Sequence, residues 1–167
     1  MTEMARGGTN EWVKDHTNRY IRSGGVEGHI MDITDAGGRD FSTHCLIRFA
    51  GRKTGRVQIR ALCYGAIGGE TVIVASKGGA DDNPQWLLNI MAAETVDFQI
   101  ATQAYRAKWR IAEGAEREKI WNYMIDCFPF YAVYQTRTTR ILPLVVLTAI
   151  ESIPVFKKSD ITPRTVA

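Results

Sequence analysis

Residues 56–75 read RVQIRALCYGAIGGETVIVA. Two apolar, strand-like runs flank Gly68-Gly69, the clearest turn signal in the chain, so residues 56–67 and 71–75 are expected to pair as a β-hairpin. Working outward, residues 27–34 and 43–50 read as strands joined through the turn-rich stretch 35–40. Residues 95–101 and 105–111 alternate as a third hairpin, and 142–148 form a last strand. Helices are expected over 10–22, from Pro84 to about 92, over 115–127, and, past a break at Pro129, over 131–138. Asn10 would cap the first of these and Gly24-Gly25 would end it. Strands following one another in hairpins cannot form a doubly wound parallel sheet, because each parallel pair needs a crossover of a dozen or more residues. The reading is an α+β fold, mainly β: a small antiparallel barrel with helices packed outside.

Composition fits one globular domain. The 167 residues are 45% hydrophobic and 23% charged, with a net charge of +3, too small for a general nucleic-acid binder. No apolar run approaches the ~20 residues that span a bilayer, and no secretory leader is visible in the polar first eleven positions. Cys45, Cys63 and Cys127 have no metal-site spacing and read as buried free thiols of a reducing, cytoplasmic compartment. The expected organisation is a helical extension over 1–24, the barrel over 25–150 and a tail over 151–167 that is loose from Ser152.

The excess charge is local. Between Arg48 and Lys77 lie six cations (Arg48, Arg52, Lys53, Arg56, Arg60, Lys77) and one acid, Glu70. They sit at strand ends beside Gly51, Gly55, Gly78 and Gly79, an arrangement suited to a phosphorylated or polycarboxylate ligand. Such cations are also common on solvated surfaces, which is the reading for Arg48, Arg106 and Arg110. Other motifs fail. Lys53-Thr54 lacks the glycines of a P-loop, and Gly24-Gly25-Val26-Glu27-Gly28 has the wrong spacing for a dinucleotide fingerprint. His16, His29 and His44 have no recognisable nucleophile partner, and no metal-ligand cluster is seen, so no metal is expected.

Three ordered blocks carry a resemblance. Gly51-Arg52-Lys53-Thr54-Gly55-Arg56 is the first. Val74-Ala75-Ser76-Lys77-Gly78-Gly79-Ala80, continuing to Asn83-Pro84-Gln85-Trp86 and Asn89, is the second. The third runs from Tyr131 through Tyr134, Gln135, Thr138 and Arg140 to Leu147. Together they resemble the deazaflavin (coenzyme F420)-dependent nitroreductase and quinone reductase family, over about residues 10–150. The resemblance implies a split β-barrel of the FMN-binding type. It also implies hydride transfer from reduced F420 to a small conjugated acceptor such as a quinone or nitroaromatic. The F420 tail carries a phosphodiester, a lactyl group and several glutamates, which matches the basic segment. By resemblance Arg52, Lys53, Thr54, Arg56 and Arg60 hold that tail. Ser76, Lys77, Gly78 and Gly79 lie against phosphate and ring, and Asn83, Trp86 and Asn89 complete the wall. Tyr134 is then the substrate contact or proton donor, Tyr131 a lid aromatic and Ser76 a hydrogen-bond donor, while solvent is the alternative proton source.

Against the family pattern, Phe128-Pro129-Phe130 makes the mouth more apolar, and Arg48-Phe49-Ala50 stands where threonines are usual. Three alternatives stay open: a split barrel using FMN, a non-catalytic deazaflavin carrier and, ranked last, a barrel binding single-stranded nucleic acid. The last lacks interleaved aromatics on the basic strands. The stripe Trp12, Val13, Tyr20 and Ile21 is expected to cover the substrate mouth above Tyr134 or to rest on the inner face of a membrane. The assembly is expected to be a monomer or homodimer.

Overall fold

The computed structural model describes residues 11–34 and 39–164. Asn10 and most of the expected loop at 35–40 lie outside the described residues. Three hairpins appear, but their partners differ from the simple reading. Strands β1 (Ile30–Met31) and β3 (Val57–Cys63) both pair antiparallel with β2 (Ser42–Ala50). β4 (Gly65–Ile67) turns over Gly68-Gly69, both left-handed at φ 58° and 78°, into β5 (Glu70–Val74). β6 (Thr95–Ile100) and β7 (Gln103–Ile111) form the third hairpin, and β8 (Leu144–Ile153) lies between β7 and β5.

The run 56–67, expected as one strand, is therefore two. Tyr64 donates its backbone N–H to Thr43 O at 3.2 Å, and Gly65 has no room for a Cβ against the Met124 side chain. The chain bends there and leaves β2 for β5. Since β2 also pairs with β6, the path β3–β2–β6–β7–β8–β5–β4 begins and ends on consecutive pieces of one bent strand. The antiparallel sheet curls round on itself, and its central strands β5 and β8, where covered on both faces, read as continuous apolar runs.

Both faces are covered. Inside, Ile47, Phe49, Ile73, Phe98, Val145 and Leu147 pack with Trp86, Leu87 and Ile90 of α2 (Gln85–Met91). Outside β5 and β8, Val72, Val74, Leu144 and Val146 meet α3 (Gly114–Cys127) and α4 (Phe130–Gln135). Outside β2 and β3, Leu46 and Ile59 meet Tyr20 and Ile21 of α1 (Glu11–Arg22) together with Phe156.

This third layer corrects three expectations. The C-terminal half of the α1 stripe is core, with Trp12 and Val13 half-buried: Tyr20 is fully buried, its hydroxyl donates to His44 O at 2.9 Å and accepts from Ala101 N–H at 2.8 Å. It serves the outer face of β2 and β3, whereas Tyr134 lies in the layer under α3 and α4, so α1 does not sit above Tyr134. The tail is not loose from Ser152. β8 continues to Ile153, Phe156 is 1% exposed, and Asp160 binds Arg48 at 2.7 Å. The expected strand 27–34 shrinks to two paired residues, because Gly28 is held left-handed at φ 94° with its Cα against the Tyr20 ring. Of the three cysteines, all free, Cys45 is buried and Cys63 and Cys127 are half-buried.

Candidate functional site

The tight turn after β2 is closed by its own backbone: Gly55 N–H donates to Gly51 O and Gly51 N–H to Arg56 O, both at 2.8 Å. Thr54 Oγ1 accepts the Arg56 N–H at 3.2 Å, so this threonine shapes the turn. Arg52 is exposed yet oriented. Asn89 Oδ1 accepts both its backbone N–H (3.0 Å) and its Nη1 (2.8 Å), and Gln85 Oε1 accepts Nη2 at 3.1 Å. α2 thus aims the guanidinium, with Asn89 buried as the clamp. Lys53 and Arg60 are exposed and Arg56 half-exposed.

The second part is the loop from Ser76 to Asn83. Ser76 is right-handed, then Lys77, Gly78 and Gly79 are all left-handed at φ 46°, 63° and 85°. A right-handed residue followed by left-handed ones turns successive N–H groups to one side, a concavity suited to anions. Lys77 holds such a φ without being glycine, an uncommon state that needs support from its surroundings. The support is Arg140. Its guanidinium donates to Ala75 O (3.2 Å), Ser76 O (2.8 Å), Ala80 O (2.6 Å) and Asn83 Oδ1 (2.9 Å), tying down the loop's carbonyls. The Ser76 hydroxyl makes no cap bond to the turn it precedes.

The third part is α4. A Cβ at Gly79 would run into the Tyr134 carbonyl, so glycine is what lets the loop and helix touch. Arg137 donates Nη1 to Gly78 O at 3.1 Å and stacks its guanidinium 5.3 Å from the Tyr134 ring. Burial pushes the Tyr134 hydroxyl up to about 12, against the opposing pull of Arg137. Tyr131 is as buried as Tyr134, at 5% exposure, and its rings contacts run to Phe128, Phe130 and Tyr134. Burial holds its hydroxyl well above the usual tyrosine range.

The sequence-predicted residues thus gather in two linked groups. Arg52, Lys53, Thr54 and Arg56 stand on the turn and Arg60 on β3. Ser76, Lys77, Gly78 and Gly79 stand on the loop, against Tyr134. Trp86, packed in the core with Phe49 and Ala75, joins the two groups from α2. Asn83 and Asn89 hold Arg140 and Arg52, a supporting role rather than a free wall. Sequence reading missed Gln85, Arg137 and above all Arg140, although Arg140 stands in the third block.

Charge separates this region from the rest. Arg48 is paired with Asp97 and Asp160, Arg106 with Asp97 and Glu151, and Arg110 with Glu70 and Glu116, so all three are bound into ion pairs. Among the described residues Arg52, Lys53, Arg56 and Arg60 form no ion pair, and Lys77 has only the exposed Asp82 at 2.9 Å.

Comparison with known proteins decides the family. The sequence model of the F420H(2)-dependent quinone reductase family matches residues 12–149. The chain belongs to that family. An F420H(2)-dependent quinone reductase of Mycobacterium tuberculosis is 31% identical over 106 residues, 62% of this chain and 71% of the relative. A solved F420-H2 dependent reductase, FDR-A, superposes with TM-score 0.59 at 33% identity, over 63% of this chain and 93% of that one. A second solved structure, described as a domain-swapped dimer, reaches TM-score 0.61 at 31% identity, covering 83% of this chain and 98% of the other. A heme binding protein from Mycobacterium smegmatis, 13% identical with TM-score 0.51, shares the fold alone. The curled antiparallel sheet is therefore the split barrel of the FMN-binding type seen in F420-dependent reductases. In this member of the F420H(2)-dependent quinone reductase family, the turn of the first block is held by α2 of the second, and the loop of the second touches α4 of the third.

Proposed function

We propose that this protein binds coenzyme F420 between the 51–56 turn, the Ser76–Gly79 loop and α4, and reduces a small conjugated acceptor of the quinone or nitroaromatic type. The observation that carries this reading is the set of cations without carboxylate partners among the described residues (Arg52, Lys53, Arg56, Arg60), together with a right-handed-then-left-handed loop at Ser76–Gly79 of the kind that suits an anion. An acidic tail is the ligand chemistry that such a donor set fits. When bound, the reduced deazaflavin supplies the hydride.

The chain's own residues do the rest. Arg52, aimed by Asn89 and Gln85, binds tail phosphate or carboxylate together with Lys53, and Arg56 and Arg60 extend that field. Thr54 keeps the turn in shape. Arg140 holds the loop's carbonyls so that the N–H groups of Lys77 and Gly78 and the Ser76 hydroxyl serve as donors, while the Gly79 N–H closes the loop by donating to Ser76 O at 2.9 Å. Tyr134, protonated across the physiological range because burial raises it to about 12, holds a proton that it can give up only to strongly developing negative charge. Arg137 beside its ring eases that loss.

Membrane contact through α1 would use an outer face of mixed charge, Glu11, Lys14, Asp15, Asn18, Arg19 and Arg22, beside the half-buried Trp12 and Val13, since Tyr20 and Ile21 are buried. Such contact is electrostatic and weakens with salt. Among the described residues no helix is long and apolar enough to cross a membrane. The free thiols fit a reducing cytoplasmic compartment. Of monomer and homodimer, the second gains support from the 31%-identical neighbour described as a domain-swapped dimer. The test is a titration with F420, followed by loss of reduced-F420 absorbance with quinone and nitroaromatic acceptors. Binding with acceptor-dependent oxidation is expected, and absence of F420 binding refutes the reading.

A further inference from the structure

Residues past 149 lie outside the family match, yet they return to the basic segment. After Phe156, whose N–H donates to Gln99 Oε1 at 2.7 Å, the chain makes a short turn at Lys158–Asp160. It then runs beside the start of β3. Thr162 N–H donates to Val57 O at 3.1 Å, and Val57 N–H donates to Thr162 Oγ1 at 3.0 Å. This double tie acts directly after the 51–56 turn and sets Arg164 beside Arg56 and Arg60. The three arginines share a cavity of about 310 Å3 with Gln58 and Thr162, and among the described residues no carboxylate lines it. None of the three is in an ion pair among the described residues. Three guanidinium groups around one cavity repel each other unless an anion lies between them.

We infer that Arg164, supplied by the C-terminal segment, joins Arg56 and Arg60 in binding the distal carboxylates of the F420 tail, so that affinity depends on the number of glutamates. The inference rests on the proposed F420 site and adds to it a residue that this chain carries outside the shared domain. Gln58 and Thr162 supply neutral polar groups at the same cavity, and two or more fixed cations suit a flexible chain of carboxylates better than one compact phosphate. Because the contacts are exposed, each is modest and screened by salt.

The experiment titrates wild type, R164A and R164E with F420 of short tail, F420 of long tail and the tail-less deazaflavin, following fluorescence quenching at low and high salt. In wild type, affinity should rise with tail length at low salt. R164A should lose roughly two- to fivefold for the long tail, R164E roughly tenfold, and neither should lose affinity for the tail-less ring. Unchanged affinity of both variants for the long tail overturns the inference while leaving the F420 site intact. Equal loss for tail-less and long-tailed ligands overturns it too, since Arg164 would then act on the fold. Wild type that binds none of the three refutes the F420 reading and this inference with it.

Discussion

The face covered by α1 and the C-terminal segment and the region built from the 51–56 turn on α2 and the Ser76–Gly79 loop on α4 are made from similar residue types, but they treat charge in opposite ways. On the first, Arg48 lies between Asp97 and Asp160 and over the Phe156 ring at 4.4 Å. The histidines there are held neutral: burial takes His44 down to about 3, with the nearby His16 adding to the shift. His44 Nε2 meets Cys63 Sγ at 3.3 Å, but burial pushes that thiol up, so the pair is a neutral contact and not a thiolate–imidazolium nucleophile. On the second, Arg52 is fixed by the neutral amides of Asn89 and Gln85, Lys53, Arg56 and Arg60 have no counter-charge among the described residues, and Lys77 has only the exposed Asp82. A protein answers its charges where it only needs stability, and leaves them open where a ligand is to supply the answer.

The largest expected effect comes from the open region. R52A/K53A should weaken F420 binding by about 2–3 kcal/mol, since two charge-assisted contacts are lost, with the melting temperature nearly unchanged. A large fall in Tm would show these cations to be structural and break the contrast. Arg48→Ala should do the reverse, costing about 2 kcal/mol of stability by chemical denaturation because Asp97 and Asp160 lose their partner, and leaving F420 affinity alone.

Acid tests the same contrast. A histidine whose folded pKa lies below its unfolded value binds fewer protons when folded, so stability falls as pH drops below about 6.5 and keeps falling toward about 3. Between pH 7 and 5 His44 should account for about 2 kcal/mol of lost stability. His44→Asn should flatten the dependence of Tm on pH in that window, and an unchanged slope would show that His44 is not the group titrating. Tyr134→Phe should slow acceptor turnover about tenfold or more at unchanged F420 affinity if its hydroxyl delivers the proton. An unchanged rate with every acceptor assigns the proton to solvent. The smallest effect is expected from Asp82→Asn. It removes the one carboxylate that, among the described residues, pairs with a site cation, Lys77, and should tighten F420 binding by about twofold.

What was legible in the sequence follows from how local each cause is. The turn at Gly68-Gly69 is read from two adjacent residues, and the third hairpin from alternation within 95–111, so both appear where expected. The break at Tyr64-Gly65 is fixed by Thr43 and Met124, which are distant in sequence; within 56–67 only the isolated Gly65 hints at it. The α1 stripe was legible as apolar, but its partner depended on Phe156, which had been assigned to a loose tail. At the site, the cations and glycines showed through as composition. Arg140 did not, because its four acceptors lie 57–65 positions away and three of them are backbone carbonyls, which have no sequence signature.

The central claim is that the open cations of the 51–60 segment await an extended acidic ligand. Fluorescence titration of the wild-type protein and R52A/K53A with F420 and with FMN at matched ionic strength tests it most directly. The account predicts that wild type binds F420 at least about tenfold more tightly than FMN, which has one phosphate and no glutamates, and that the double variant loses most of that preference. Equal affinity of the wild type for the two cofactors, or a preference for F420 that survives the loss of both cations, would contradict it.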